Sequence, residues 1–124
     1  MKQFIAKYFS NHTETKEDHP ESDLQTRYYK ANKDQVFDSV QNLFDEPSKV
    51  VGLSKERGEL SVNYREGKKA FVVATIIMVR PYRTAVDFSV TTETGLPVDF
   101  GNSRKLIRSF YQRLDKELPV VDQP

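Results

Sequence analysis

The sequence predicts an α+β domain: an antiparallel β-sheet in the order β-α-β-β-β-β-α, with two helices packed on one face. Three observations predict it. Strand-like segments follow one another through the middle of the chain, joined by connections so short and turn-rich that only antiparallel hairpins can use them. Two segments with helical apolar spacing bracket them. The chain has 124 residues, an ordinary size for one domain, and can bury roughly two thirds of its extended surface in a single core.

The elements follow in order. Phe4, Ile5, Tyr8 and Phe9 fall at helical spacing with Lys2 and Lys7 around the turn, so residues 1–9 read as a short amphipathic segment that packs on its own domain, docks on a partner or a membrane surface, or frays. Residues 10–23, SNHTETKEDHPESD, carry no large apolar side chain and read as a polar linker. The domain proper spans residues 24–118. Its first strand is LQTRYYK, Leu24 to Lys30. Asn32 then caps a helix with Gln35 three residues on, a capping-box pair, and Val36, Phe37, Val40, Leu43 and Phe44 form the buried stripe as far as Pro47. Strands are expected at Lys49 to Ser54, Glu59 to Arg65, Lys69 to Arg80 and Arg83 to Thr92. Glu56-Arg57-Gly58, Glu66-Gly67-Lys68 and Arg80-Pro81-Tyr82-Arg83 supply the turns. A last helix runs from Asn102 to Leu118 on the stripe Leu106, Ile107, Phe110, Tyr111, Leu114 and Leu118, and residues 119–124 form a tail after Pro119.

One strand departs from simple alternation. AFVVATIIMV is apolar on both sides, whereas its neighbour TAVDFSV places Val86, Phe88 and Val90 on one face and Asp87 and Ser89 on the other. The second face of the apolar strand therefore needs a cover: the N-terminal arm, a second subunit in a homodimer, or a curl of the sheet.

Composition removes whole classes of function. With 19 basic and 18 acidic residues the net charge is +1, and no basic stripe or aromatic strand motif is present, so nucleic acid is a disfavoured partner. The absence of cysteine excludes disulfides, thiolate metal sites and cysteine nucleophiles. His12 and His19 lie in the polar stretch beside Glu14, Glu17 and Asp18 and are expected to be solvated, leaving residues 24–118 without histidine. Glu59 and Asp87 have no carboxylate partner at a recognisable spacing. The expectation is a non-enzyme with no cofactor and no metal. The longest apolar run, Ala70 to Val79, is too short to span a bilayer, and no run of signal-peptide length opens the chain, so a small soluble cytoplasmic protein is expected.

Two clusters remain as candidate binding sites. Asp99, Gly101, Asn102, Ser103, Arg104 and Lys105 crowd the start of the last helix, where free backbone N–H groups and two cations would suit an anion. The simpler reading is a cap from Asp99, Asn102 or Ser103 with Gly101 giving the chain room to turn. Arg80 and Arg83 flank Pro81 and Tyr82, where guanidinium forks suit phosphate or carboxylate; the simpler reading is that they keep the strand ends solvated. Tyr28, Tyr29, Tyr64, Phe71 and Phe88 read as core.

The segments RYYKANKDQVFDSVQNLF, ERGELSV and VDFSVTTETGLPVDFGNSRKLIRSFYQRLDKEL together resemble a bacterial family, domain of unknown function 1499. The resemblance lies in a strand leading into a helix, a strand reading like "GEI", and a terminal segment in which Asp99, Gly101, Asn102 and Arg104 recur, with Ser103 interposed before the arginine. It covers Leu24 to Leu118 and implies fold more than function. The β-α-β4-α order also looks like the TBP-like and helix-grip folds, in which a long C-terminal helix crosses a curved sheet. The cavity such folds can hold is expected here to be small or filled by Phe71, Phe88, Phe110 and Tyr111.

The expected function is a non-catalytic binding or protein-interaction module that meets a protein or a small anionic ligand through the loop from Gly95 to Lys105. A carrier of a small hydrophobic ligand, held between sheet and last helix, is the second expectation.

Overall fold

The computed structural model describes residues 11–93 and 101–121. The amphipathic segment 1–9, most of the loop from Gly95 and the candidate residue Asp99 lie outside the described residues.

The strands are β1 (His12–Glu14), β2 (Arg27–Tyr29), β3 (Lys49–Ser54), β4 (Glu59–Tyr64), β5 (Ala70–Arg80), β6 (Arg83–Thr92) and β7 (Val120–Val121). The helices are α1 (Lys33–Gln41) and α2 (Asn102–Glu117). The fold is α+β, one antiparallel sheet in the order β3-β4-β5-β6-β2-β7, with β1 also on β6. The meander β3 to β6 follows from the three short turns.

β6 organises the sheet. One of its edges pairs with β5 from Thr84 to Thr92; the other pairs with β2 at Thr84 to Val86 and with β1 at Ser89 to Thr91. The two short strands thus lie end to end along one long one. Alternation sends Leu60 and Val62 of β4, Val72, Ala74 and Ile76 of β5, and Val86, Phe88 and Val90 of β6 to one face, where all are buried. Both helices cover that face: Val36, Phe37 and Val40 from α1, and Ile107, Phe110, Tyr111 and Leu114 from α2, belong to the same core. The Phe110 ring lies 5.1 Å from Phe44, 5.6 Å from Tyr64 and 5.2 Å from Phe88, so aromatic edges fill the space beneath α2.

Several boundaries differ from the sequence expectation. Segment 10–23 is no linker where it is described. Asn11 and β1 join the sheet, Thr15 is buried, and Ser22–Leu24 forms a 3-10 turn. The attachment is made by hydrogen bonds, which apolar counting does not see: the Thr15 N–H donates to the Phe88 carbonyl at 2.9 Å, and the Phe88 N–H donates to the Thr15 hydroxyl at 3.0 Å. Thr15 and Thr26 both donate to the same carboxylate oxygen of Asp87 at 2.6 Å. The expected first strand contracts to Arg27–Tyr29, with Leu24 buried in the 3-10 turn before it.

The capping box of Asn32 and Gln35 is present, but α1 stops at Gln41, well before Pro47. Leu43 and Phe44 remain buried after the helix tightens into i to i−3 bonds from Leu43 to Val40 and Phe44 to Gln41. The tail contributes β7, paired with Tyr28 and Tyr29. Phe71, expected in the core, stands 41 % exposed on the opposite face of the sheet with Ile77. Tyr28, on that face too, is buried and donates its hydroxyl to Glu17.

Two glycines with positive φ contrast. A Cβ on Gly58, at φ 69°, would stand 2.0 Å from the carbonyl oxygen of Ile76, where backbone cannot yield, while a Cβ on Gly67, at φ 83°, would meet nothing within 4 Å. Gly58→Ala is therefore expected to cost roughly 2–5 kcal/mol and Gly67→Ala about 1 kcal/mol, read from urea unfolding midpoints.

Buried phenols give a second prediction. Tyr29 donates to Asp115 at 2.8 Å and Tyr111 to the Val86 carbonyl at 2.7 Å. Burial pushes both well above the ordinary tyrosine range, with the Asp115 hydrogen bond adding to it at Tyr29. Burial, then the hydrogen bond to Glu17, raises Tyr28 to about 12, and burial raises Tyr64. A raised acid pKa means that the folded state keeps protons the unfolded state releases. Stability should be flat up to about pH 10 and then fall, with each such tyrosine contributing up to roughly 1.4 kcal/mol per pH unit. Tyrosinate absorbance should rise together with the loss of far-ultraviolet helix signal; full ionisation of a still-folded chain would contradict this.

Candidate functional site

The two candidate clusters lie at opposite ends of β6. Arg83 opens the strand, whereas Ser103 at the start of α2 has its hydroxyl 2.7 Å from that of Thr13, whose register partner is Val90. Seven residues of strand put roughly 23 Å between the two ends. Arg104 and Lys105 cannot share a ligand with Arg80 and Arg83 across that distance.

The start of α2 proves to be a structural clamp. Gly101 is the N-cap at φ 86° and makes no side-chain cap bond; its carbonyl accepts from Lys105 N–H at 3.1 Å. Neither Asn102 nor Ser103 is the N-cap residue, and Asp99, the third cap candidate, lies outside the described residues. Arg104, with its side chain only 8 % exposed, donates to the Glu21 carboxylate. One turn on, Arg108 donates to Asp23 and lies 3.7 Å from Glu21. Arg104 thus answers an internal carboxylate, Glu21, across the start of the helix. Lys105 is exposed. Sequence reasoning missed the pair because Glu21 is separated from Arg104 by 83 residues and lay in the supposed linker.

The histidines are also part of the fold. His12 Nδ1 is 2.7 Å from the Thr91 hydroxyl, and His19 Nδ1 accepts from Glu21 N–H at 3.0 Å. Both lie outside residues 24–118, in the segment that joins the sheet ahead of them. Among the described residues no group of three or more histidine, aspartate or glutamate side chains is arranged to hold a metal ion.

The β5–β6 hairpin tip is different in kind. β4 pairs with β5 only as far as Glu59 opposite Thr75, so residues 77–80 run past the end of β4. Their side chains emerge from the core: Ile77 is 52 %, Met78 46 % and Val79 45 % exposed, and Tyr82 at the apex 61 %. Ile77 pairs with Ala85 on the outer face, Met78 with Thr84 on the helix side, and the ladder shifts register between Met78 and Arg80. Apolar groups thus cover both faces of the ribbon. Arg80 and Arg83 are Cα partners in register on either side of the turn.

Pro81 fixes the first loop position, and Tyr82 carries φ of 58°, a conformation unfavourable to a bulky side chain by on the order of 1–3 kcal/mol. The base of the ribbon is firm. Ile76 N–H donates to the Gly58 carbonyl at 2.7 Å, and the Thr84 hydroxyl to the Ala31 carbonyl at 2.8 Å.

Sequence reasoning named Arg80 and Arg83 but missed Ile77, Met78 and Val79, which it placed in a covered strand. The signal was present in the lengths: β5 has 11 residues and β4 has 6, so the longer strand must overhang.

No protein-family model matches the chain, and searches of curated proteins and of solved structures find no match. Among the described residues no helix is long and apolar enough to cross a membrane.

The clamp yields a direct test. Arg104→Ala should destabilise the fold by roughly 2–4 kcal/mol, somewhat below the cost of breaking a fully buried pair because the Glu21 side chain is 25 % exposed. Lys105→Ala should stay within about 0.5 kcal/mol of the parent in the same denaturation experiment.

Proposed function

We propose that this chain is a non-catalytic interaction module whose contact element is the tip of the β5–β6 hairpin. The observation that carries the reading is the joint exposure of Ile77, Met78, Val79 and Tyr82 around one turn, on a ribbon whose base is fixed by the core. Scattered exposed apolar residues are ordinary on a protein surface; a contiguous set is the mark of a contact site. The strain at Tyr82 supports it as well, since a bulky aromatic stands in a left-handed conformation at an exposed apex where glycine would relieve the backbone.

Support for a non-catalytic role comes from what the titratable groups do. Asp87 accepts from two threonines, His19 accepts a backbone N–H, and Asp115 accepts from Tyr29. Each is engaged in holding the fold. The carrier alternative would place its ligand between sheet and α2, where Phe88, Phe110 and Tyr111 already pack with ring centres about 5 Å apart. Of these arginines, Arg80 stands exposed at the tip, whereas Arg104 is buried against Glu21.

Tyr82→Gly separates contact from stability. Removing the strained side chain should leave stability unchanged or raise it by up to about 1 kcal/mol while contact is lost. A photocrosslinking residue at position 82 should capture a partner in cells of the source organism, and the same residue at position 105 should not. Equal capture at the two positions, or capture at 105 alone, would overturn the assignment.

A further inference from the structure

We infer that residues 1–9 dock on the outer face of this same chain's sheet, laying Phe4, Ile5, Tyr8 and Phe9 across Phe71 and Val73 of β5. That seat is separate from the contact made by the hairpin tip. Register sets out its relief. Phe71 has Asn63 and Thr91 beside it, and Val73 has Ser61 and Ser89. Phe71 stands exposed, while Val73 is half-buried between two short side chains. An apolar ridge with low ground on both flanks is a surface on which the stripe of an amphipathic helix can settle, and it is the uncovered side of the strand that is apolar on both faces.

The place where the segment joins the sheet favours it as the occupant. Asn11 is fixed to the end of β6: its carbonyl accepts from Thr92 N–H at 2.9 Å, and its side-chain amide donates to the Thr92 carbonyl at 3.2 Å. Thr92 is the register partner of Ala70, the residue before Phe71. Two strand spacings, about 10 Å, therefore separate the anchored end of the segment from the strand it would cover. Nine helical residues extend about 14 Å, and the strand from Phe71 to Thr75 about 13 Å, so the segment can lie over these positions and stop short of Ile77. On such a helix Lys2 and Lys7 fall at the two borders of the apolar stripe, where their ammonium groups stay in water as the rings go down.

Area and tethering set the segment above a second copy of the chain. The strip of β4, β5 and β6 across these positions measures roughly 200 Å², a quarter of the roughly 800 Å² that each partner buries in a stable dimer. A nine-residue helix covers about 140 Å² of it. A short tether also raises the local concentration of the segment to about the millimolar range, so a contact too weak to hold two chains together suffices within one.

Spin labelling tests the placement. The chain has no cysteine, so Gln3→Cys carries a single nitroxide, on the side of the segment away from its apolar stripe. Amide signals of the full chain are compared with the label oxidised and reduced. The expected result is loss of intensity at residues 61, 73 and 89, with residues 36–40 of α1, on the other face of the sheet, keeping theirs. Phe4→Ser together with Tyr8→Ser should abolish that loss. A mixture of isotope-labelled chain without nitroxide and spin-labelled chain without isotope should show none. Loss in the mixture would give the face to a second copy, and loss centred on another surface, or at no residue from 11 to 121, would place the segment away from it. Each of these results overturns the inference and leaves the hairpin tip to its own crosslinking test.

Discussion

Asp87 holds the architecture together from an unlikely place, the side of a strand that alternation assigns to solvent. One oxygen of its carboxylate accepts from Thr15 and from Thr26, drawing two separate stretches of the chain onto β6. Thr15 also receives the Phe88 N–H and the Tyr111 hydroxyl, the latter at 3.3 Å, so the same residue meets the sheet and α2. Each bond is worth about 1–3 kcal/mol, more for those ending on the charged oxygen. Their collective effect is larger in kind. With Thr15 in place, β1 and β2 occupy the second edge of β6; without it half of that edge would lie open.

The attachment also decides what α2 can be. Arg104 and Arg108 face Glu21 and Asp23, which reach the helix because the segment following Thr15 folds back over it. Two cations in the first two turns of a helix oppose its macrodipole by a few tenths of a kcal/mol, and the two carboxylates reverse that balance. Arg27 completes the pattern: its guanidinium lies 4.7 Å over the Tyr111 ring and pairs with Asp115, the carboxylate that receives Tyr29. One end and one flank of the domain are thereby charge-matched internally.

What could be read from the sequence divides along physical lines. β3 and β6 have the boundaries that alternation and turn residues indicate, and α2 ends one residue short of expectation, because burial drives these elements and leaves a periodic trace. β1 and β7 left none. They are two- or three-residue strands fixed by register to a neighbour, and the segment around Thr15 is bound through hydroxyls and backbone. The role of Arg104 was hidden because its partner is remote in sequence and no local spacing announces it. Arg80 and Arg83 could be picked out as a pair, but their meaning depended on strand lengths compared across the sheet, which shows Ile77 to Val79 beyond the reach of β4.

Internal pairing of charges also accounts for the near-neutrality of the chain. The net charge of +1 is a sum over pairs such as Arg104 with Glu21, Arg27 with Asp115, Lys55 with Asp38 and Arg65 with Glu93. Such matching leaves little long-range field. At physiological ionic strength a field decays over about 8 Å in any case, less than half the distance between the two ends of β6.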